Sequence, residues 1–165
     1  MSLAQDIAIL KKIPMFSDFQ DDQLRLLAFS AESMDYNAGQ RLFDQDERAD
    51  SGLVITDGLV SLKTRGENGF QQVDEAGPGT LLGESALLVE TKRPCRAEAV
   101  KAVRIIRIRR ALFKRMISEY PELAQRLFDQ RAAKFRTTIG RLKPIGDKMA
   151  ELEQLNAERR SREDR

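Results

Sequence analysis

The stretch from Gly79 to Ala99, GTLLGESALLVETKRPCRAEA, holds the residues best suited to chemistry in this chain. Glu84 follows Gly83 directly and stands nine positions before Arg93. Gly83 is suited to open a short helical turn, whose first backbone N–H groups lack partners inside the turn and can meet an anion. Ser85 and Ala86 are small enough to let a ligand approach the backbone. Arg93 returns at the end of the loop with a planar fork that matches phosphate oxygens. Glu84 supplies a carboxylate that accepts hydrogen bonds from sugar hydroxyls. Anion donors, an arginine and a sugar acceptor together predict a site for a small phosphorylated nucleoside.

Other chemistries lack their residues. The 165-residue chain contains no histidine, which removes the commonest general base and the commonest metal ligand together. No Ser–His or Cys–His nucleophile can be assembled. Cys95 is the only cysteine, too few for a Cys/His zinc site or an intrachain disulfide and in keeping with a reducing cytoplasm. Charged residues make up 33% of the chain, yet the formal net charge is only +2, so the whole chain lacks the basic excess of a nucleic-acid binder. No apolar run reaches the length of a membrane span. The start of the chain carries Asp6, with Lys11 and Lys12 at its far end, the reverse of a signal peptide. These features predict a cytoplasmic binding or regulatory module with no enzyme activity, no metal and no membrane contact.

The elements that must position Glu84 and Arg93 follow from periodicity. Residues 1–28 read as N-terminal helices: Leu3, Ile7 and Leu10 recur at helical spacing, and Asp21 is placed to cap a second helix bearing Leu24, Leu26 and Leu27. Residues 29–119 form a region whose main texture, from Met34 to Ile108, is short apolar runs between turn glycines. That texture predicts a mainly β fold, an antiparallel β-roll or jelly-roll barrel with flanking helices. Asn68-Gly69 predicts a type I′ hairpin turn. Residues 120–143 read as a long helix opened by Pro121, with helical periodicity already present from Ala111. Phe128, Ala132, Phe135, Ile139 and Leu142 step by four, three, four and three along it, an apolar seam of coiled-coil type. Pro144 and Gly146 interrupt that helix, and residues 144–165 form a short helical, charged tail.

The cassette from Gly83 to Arg93 resembles the phosphate-binding cassette of cyclic-nucleotide-binding domains, as in the catabolite activator family, protein kinase A regulatory subunits and cyclic-nucleotide-gated channels. The family pattern is Gly-Glu-Leu-Ala-Leu, a short loop, then Arg-Ala-Ala-Thr or Arg-Ser. The similarity extends over most of the chain. Leu42-Phe43-Asp44-Gln45, Ala49-Asp50-Ser51, Ile55, Gly58 and Gly77-Pro78-Gly79 fall in the family's order, as do Arg104 to Ile108 and Tyr120-Pro121-Glu122-Leu123. The resemblance implies cAMP or cGMP as ligand. Glu84 would then hold the ribose 2′-hydroxyl, Arg93 the exocyclic phosphate oxygen, and the Ser85 and Ala86 amides would complete the cradle. Pro94 and Cys95 would border the ligand, and Thr138 would touch the base. The family's helix-turn-helix domain is not expected, because only 21 residues follow Pro144. Four positions depart from the pattern. Pro94 has no N–H, a donor whose loss costs about 1.5–3 kcal/mol toward a charged ligand. Arg96 stands where the family often has threonine or serine, Ser85 replaces a leucine, and Asp46 replaces a turn glycine.

Each feature also has a plainer reading. Glu84 with Arg93 makes an ordinary ion pair elsewhere; inside this motif the ligand reading is preferred. Cys95 beside two arginines suits either a reactive thiol or, preferably, a small strand residue. Thr138 suits an ordinary helix position better than a base contact. Arg104, Arg107, Arg109, Arg110, Lys114 and Arg115 suggest a solvated strand face balanced by acids more than a nucleic-acid surface. The seam from Phe128 to Leu142 favours a homodimer over packing on the roll. The leading expectation is a module that binds a cyclic nucleotide and signals through its C-terminal helix, with a protein partner still to be identified and no specific DNA. The alternative is a degenerate family member that serves dimerisation or protein interaction without a small ligand.

Overall fold

Glycine-punctuated apolar runs between Glu32 and Arg109 form ten strands, with helices on either side. The computed structural model describes residues 2–130 and Arg159. The chain divides into a unit spanning Met1–Leu123 and a second spanning Ala124–Arg165.

Helix α1 (Leu3–Lys11) begins at Ser2, whose hydroxyl and backbone N–H exchange hydrogen bonds with Gln5, a capping box. A short turn, Pro14–Phe16, leads to α2 (Asp21–Ser30). The cap of α2 is Gln20, not Asp21: the Gln20 N–H donates to the Gln23 side chain at 2.9 Å. Asp21 instead occupies the first turn, where a negative charge favours the exposed amides.

The strands are β1 (Glu32–Tyr36), β2 (Arg41–Phe43), β3 (Arg48–Ala49), β4 (Ser51–Asp57), β5 (Val60–Gly66), β6 (Gly69–Ala76), β7 (Leu81–Leu82), β8 (Thr91–Lys92), β9 (Arg96–Ala99) and β10 (Val103–Arg109). All pair antiparallel. One sheet runs β1-β10-β4-β7, the second β2-β9-β5-β6, and β3-β8 form a small ribbon. The result is a jelly-roll-like β-roll that is not closed into a barrel. Phe43, Val60 and Ala97 of the second sheet pack against Leu53, Ile55, Val103 and Ile105 of the first.

Strand β4 is buried from Ser51 to Thr56, the pattern of a strand covered on both faces. Leu53 and Ile55 enter the inter-sheet core; the alternate positions face the helices. There Phe16 meets Phe19 edge-on at 5.3 Å and Phe113 at 6.1 Å between ring centres. Phe113 belongs to α3 (Arg110–Glu119), which follows β10 without a loop. Tyr120 breaks the helical run with φ −126° and ψ 76°, because a residue before proline is pushed out of helical geometry. Helix resumes from Pro121 through residue 130.

The β5–β6 hairpin forms at the expected place, with a different turn. Gly66 pairs with Gly69, and Gly69 has φ +97°. Among the described residues Asp46 is the only non-glycine with positive φ, so Asn68 is not left-handed. A type I′ turn needs φ > 0 at both central residues and is absent here. Thr138, and Ala132, Phe135, Ile139 and Leu142 of the seam, lie outside the described residues; Phe128 is described and 69% exposed.

Phe113 is fully buried and joins α3 to the N-terminal aromatic pair. Phe113→Ala is expected to lower unfolding free energy by about 3–5 kcal/mol, as large-to-small core changes do, read as a shift in the urea midpoint with unchanged slope.

Candidate functional site

Gly83 ends β7 in a left-handed conformation, φ +81° and ψ 40°, and turns the chain into a short helical segment, Glu84–Leu87. Ala86 and Leu87 are buried beneath it. The chain returns through β8, paired with β3, and delivers Arg93. The backbone of Arg93 is held on both sides by the preceding turn. Its N–H donates to the Glu47 carbonyl at 2.8 Å, and its carbonyl accepts from the Asp46 N–H at 2.9 Å. Left-handed Asp46, φ 68°, is therefore part of the device that places Arg93.

The Arg93 side chain is only 5% exposed. Nη2 donates to the Ser51 carbonyl at 2.9 Å and lies 3.4 Å from the Ser51 hydroxyl. The guanidinium sits 4.5 Å from the centre of the Phe43 ring. Nη1 is buried without a hydrogen-bond partner. A Cβ on Gly83 would run into Nη1, and the left-handed φ of +81° favours glycine there. A cavity of about 460 Å³ opens at this point, and its lining includes Gly83, Glu84, Ser85, Ala86, Arg93, Pro94 and Cys95. Phe43, Leu62, Leu81 and Leu82 give it an apolar wall. Seven of the eight residues singled out from sequence thus border one cavity; Thr138 lies outside the described residues.

Residues 33–120 match the cyclic nucleotide-binding domain. The chain belongs to the cyclic nucleotide-binding domain family. It is similar to a cyclic nucleotide-binding-like protein from Brucella abortus, with 39% identity and a TM-score of 0.65 over 68% of this chain and 97% of that one. The N-terminal domain of a transcriptional regulator from Streptomyces coelicolor superposes with a TM-score of 0.75 at 25% identity, covering 79% of this chain and 92% of that one. A lysophospholipase of Aspergillus terreus is 25% identical over 146 residues, which cover 88% of this chain and 9% of the enzyme. The chain spans only about a tenth or less of the lysophospholipases it matches. The family is a regulatory binding domain, not a catalytic one. No helix among the described residues is long and apolar enough to cross a membrane, and none of their His, Cys, Asp and Glu side chains cluster as a metal site would require.

Within this cyclic nucleotide-binding domain the geometry refines several sequence expectations. The Ala86 N–H donates to the Gly83 carbonyl at 3.0 Å, closing the turn, so that amide is already committed. Arg96 does not line the cavity. It pairs with Asp44 at 2.8 Å and lies 3.5 Å from the centre of the Phe70 ring, on the flank of the second sheet. Burial pushes the Cys95 thiol up, while the Arg93 charge pulls it part-way back; the thiol is protonated at neutral pH and reads as a packing residue. Burial also lowers the pKa of Arg93, with Asp50 opposing that shift. The arginines of β10 are matched: Arg104 with Asp35 at 2.8 Å, Arg107 with Asp50 at 3.2 Å and Arg109 with Glu32 at 2.7 Å. Sequence reasoning missed Phe43 and Ser51 as partners of Arg93. A signal for Ser51 exists: it is a polar residue just ahead of the apolar run Leu53-Val54-Ile55.

Carboxylates dominate the pH response. The Arg96 hydrogen bond holds Asp44 below its ordinary value, Lys63 does the same for Glu98, and Arg104 for Asp35. A depressed folded-state pKa stabilises the fold above the unfolded value and loses that effect as pH falls through the folded value. Asp6, raised by burial, acts in the opposite direction. With no histidine, the thermal midpoint is expected to be flat from about pH 5.5 to 7 and to fall below about pH 4, as measured by scanning fluorimetry.

Proposed function

We propose that this chain binds a cyclic nucleotide, cAMP or cGMP, in the cavity between Gly83 and Cys95 and serves as a cytoplasmic regulatory module without enzymatic activity. The observation that carries this reading is the buried Arg93 Nη1, a charged donor with no acceptor, bordering a cavity of about 460 Å³. A desolvated cation of this kind gains most from an anion that arrives without its own water. The cyclic phosphate meets Arg93 and the amide side of the Gly83–Ser85 turn; Ala86 packs beneath as a small residue whose N–H is spent on Gly83. Glu84 accepts from the ribose hydroxyl. The apolar wall of Leu62 and Leu81 takes the remainder, and Pro94 and Cys95 border it. Thr138, outside the described residues, is the candidate base contact from sequence.

Exposed Phe128 and the seam that continues it to Leu142 in the sequence support a parallel homodimer. Residues 120–143 would carry the signal to a protein partner. The paired arginines of β10 support the absence of specific DNA binding. Pro94, without an N–H, and the committed Ala86 amide favour a second reading: a family member that keeps the roll for protein contact and takes no nucleotide.

Titration calorimetry with cAMP and cGMP separates the two. Binding of one nucleotide is expected, and Arg93→Ala is expected to weaken it at least tenfold, in line with about 2–5 kcal/mol for truncating one partner of a buried charged pair. The variant should melt no lower than wild type, because the change removes a desolvated cation. Glu84→Gln should weaken binding less, and Pro94→Ala should tighten it by restoring a donor. Absence of heat and of thermal shift with both nucleotides at millimolar concentration replaces the sensing reading with the interaction-module reading. A separate light-scattering run on wild type and Phe135→Glu reads assembly: a dimer that becomes a monomer is expected, and a monomeric wild type refutes the seam.

A further inference from the structure

Arg110 is the first residue of α3, and its half-buried guanidinium turns back onto backbone carbonyls of the cassette turn and of β3. Nη1 lies 2.9 Å from the Val89 carbonyl, 3.4 Å from that of Ala86 and 3.3 Å from that of Ala49. Its backbone N–H donates to the Asp50 carbonyl at 2.8 Å. Ala86 and Val89 lie at the exit of the Glu84–Leu87 turn, behind the surface that Gly83, Glu84 and Ser85 present to the cavity. Ala49 ends β3, whose partner β8 leads into Arg93. One side chain therefore holds carbonyls from both segments that frame the anion site. Carbonyls at the end of a helical turn have no partner within it, and a cation that collects them fixes the turn's position.

The next turn of α3 is tied elsewhere. Phe113, three positions on, packs on Phe16 at 6.1 Å and lies stacked 6.4 Å from Phe19. Met116 is buried as well. The helix thus meets the carbonyls of the cassette turn and of β3 at its first residue and the N-terminal aromatic cluster one turn later.

We propose that Arg110 is the coupling residue of this domain: a ligand that repositions the Glu84–Leu87 turn moves the carbonyl seat of Arg110, and α3 with its aromatic partners follows. The proposal deepens the nucleotide reading and rests on it. A ligand shifts a conformational equilibrium only through contacts that differ between the states, and the three carbonyls are the contacts that join cavity and helix. Arg110 touches no ligand; it is a positioning residue. A plain structural cap would stabilise the turn and the helix whether or not ligand is present.

Hydrogen exchange on the full chain, with and without saturating nucleotide, distinguishes the two roles. In wild type the nucleotide is expected to slow exchange both at residues 83–89 and at residues 110–119. Arg110→Ala should keep the slowing at 83–89 and reduce the slowing at 110–119 at least threefold. Arg110→Lys should fall between, because an ammonium reaches a carbonyl but lacks the planar fork; it also carries the test if the alanine variant does not fold. A full response at 110–119 in Arg110→Ala, or an equal loss at both segments, overturns the coupling while leaving the nucleotide site standing. No calorimetric binding by wild type overturns both.

Discussion

Burying the Arg93 guanidinium is the constraint on which the rest of the site depends. Removing a cation from water costs several kcal/mol unless its charge and its donors are met. The fold meets part of that cost. The Ser51 carbonyl accepts from Nη2, the Phe43 ring offers its negative face, and Asp50 opposes the loss of charge. Arginine stays protonated in such surroundings because its intrinsic basicity is so high. Nη1 remains unmet. One backbone strain accompanies it, left-handed Asp46, whose N–H holds the Arg93 carbonyl, and Gly83 takes a left-handed conformation where a side chain would be strained and would meet Nη1. Strain and an orphaned donor held together by a well-packed scaffold are characteristic of a place where something binds.

That scaffold is centred on β4. One face of the strand lies in the inter-sheet core and the other is turned toward the helices, so Ser51 at its start is fixed from both sides. The cassette hangs between β7, paired to β4, and β8, paired to β3. Loops placed this way can vary in sequence without loss of the core. Away from the cavity, arginines spend their charge on neighbours: Arg96 on Asp44 and Phe70, Arg104 on Asp35, Arg109 on Glu32. The exposed pairs of Arg104 and Arg109 contribute little to stability individually. They do leave Arg93 as the buried guanidinium with an unmet donor among the described residues.

Much of this was legible beforehand, and the failures have physical causes. The alternation of short apolar runs with glycines pointed to an antiparallel roll because a half-buried strand repeats every two residues and its turns demand φ > 0. Asn68-Gly69 marked a real hairpin but not its turn type, because Gly66 pairs with Gly69, so Glu67 and Asn68 form the loop and neither is left-handed. Asp21 looked like a cap, yet Gln20 starts α2, since Gln23 reaches back to its N–H. Ala86 looked like an amide donor to a ligand, yet the tight turn consumes that N–H internally.

The sequence by itself determined the class of fold, the family pattern and the nine-residue spacing of Glu84 and Arg93, because these rest on periodicity, turn chemistry and neighbours a few positions apart. Only the tertiary structure decided which way Arg93 faces and what it lacks. Its acceptor Ser51 is 42 positions away, Phe43 comes from the other sheet, and the three carbonyls that seat Arg110 come from positions 21 to 61 residues distant. Contacts of that range carry no local signature. They exist because two sheets and a helix must bury their apolar faces together, and that packing fixes which polar groups meet and which one is left waiting.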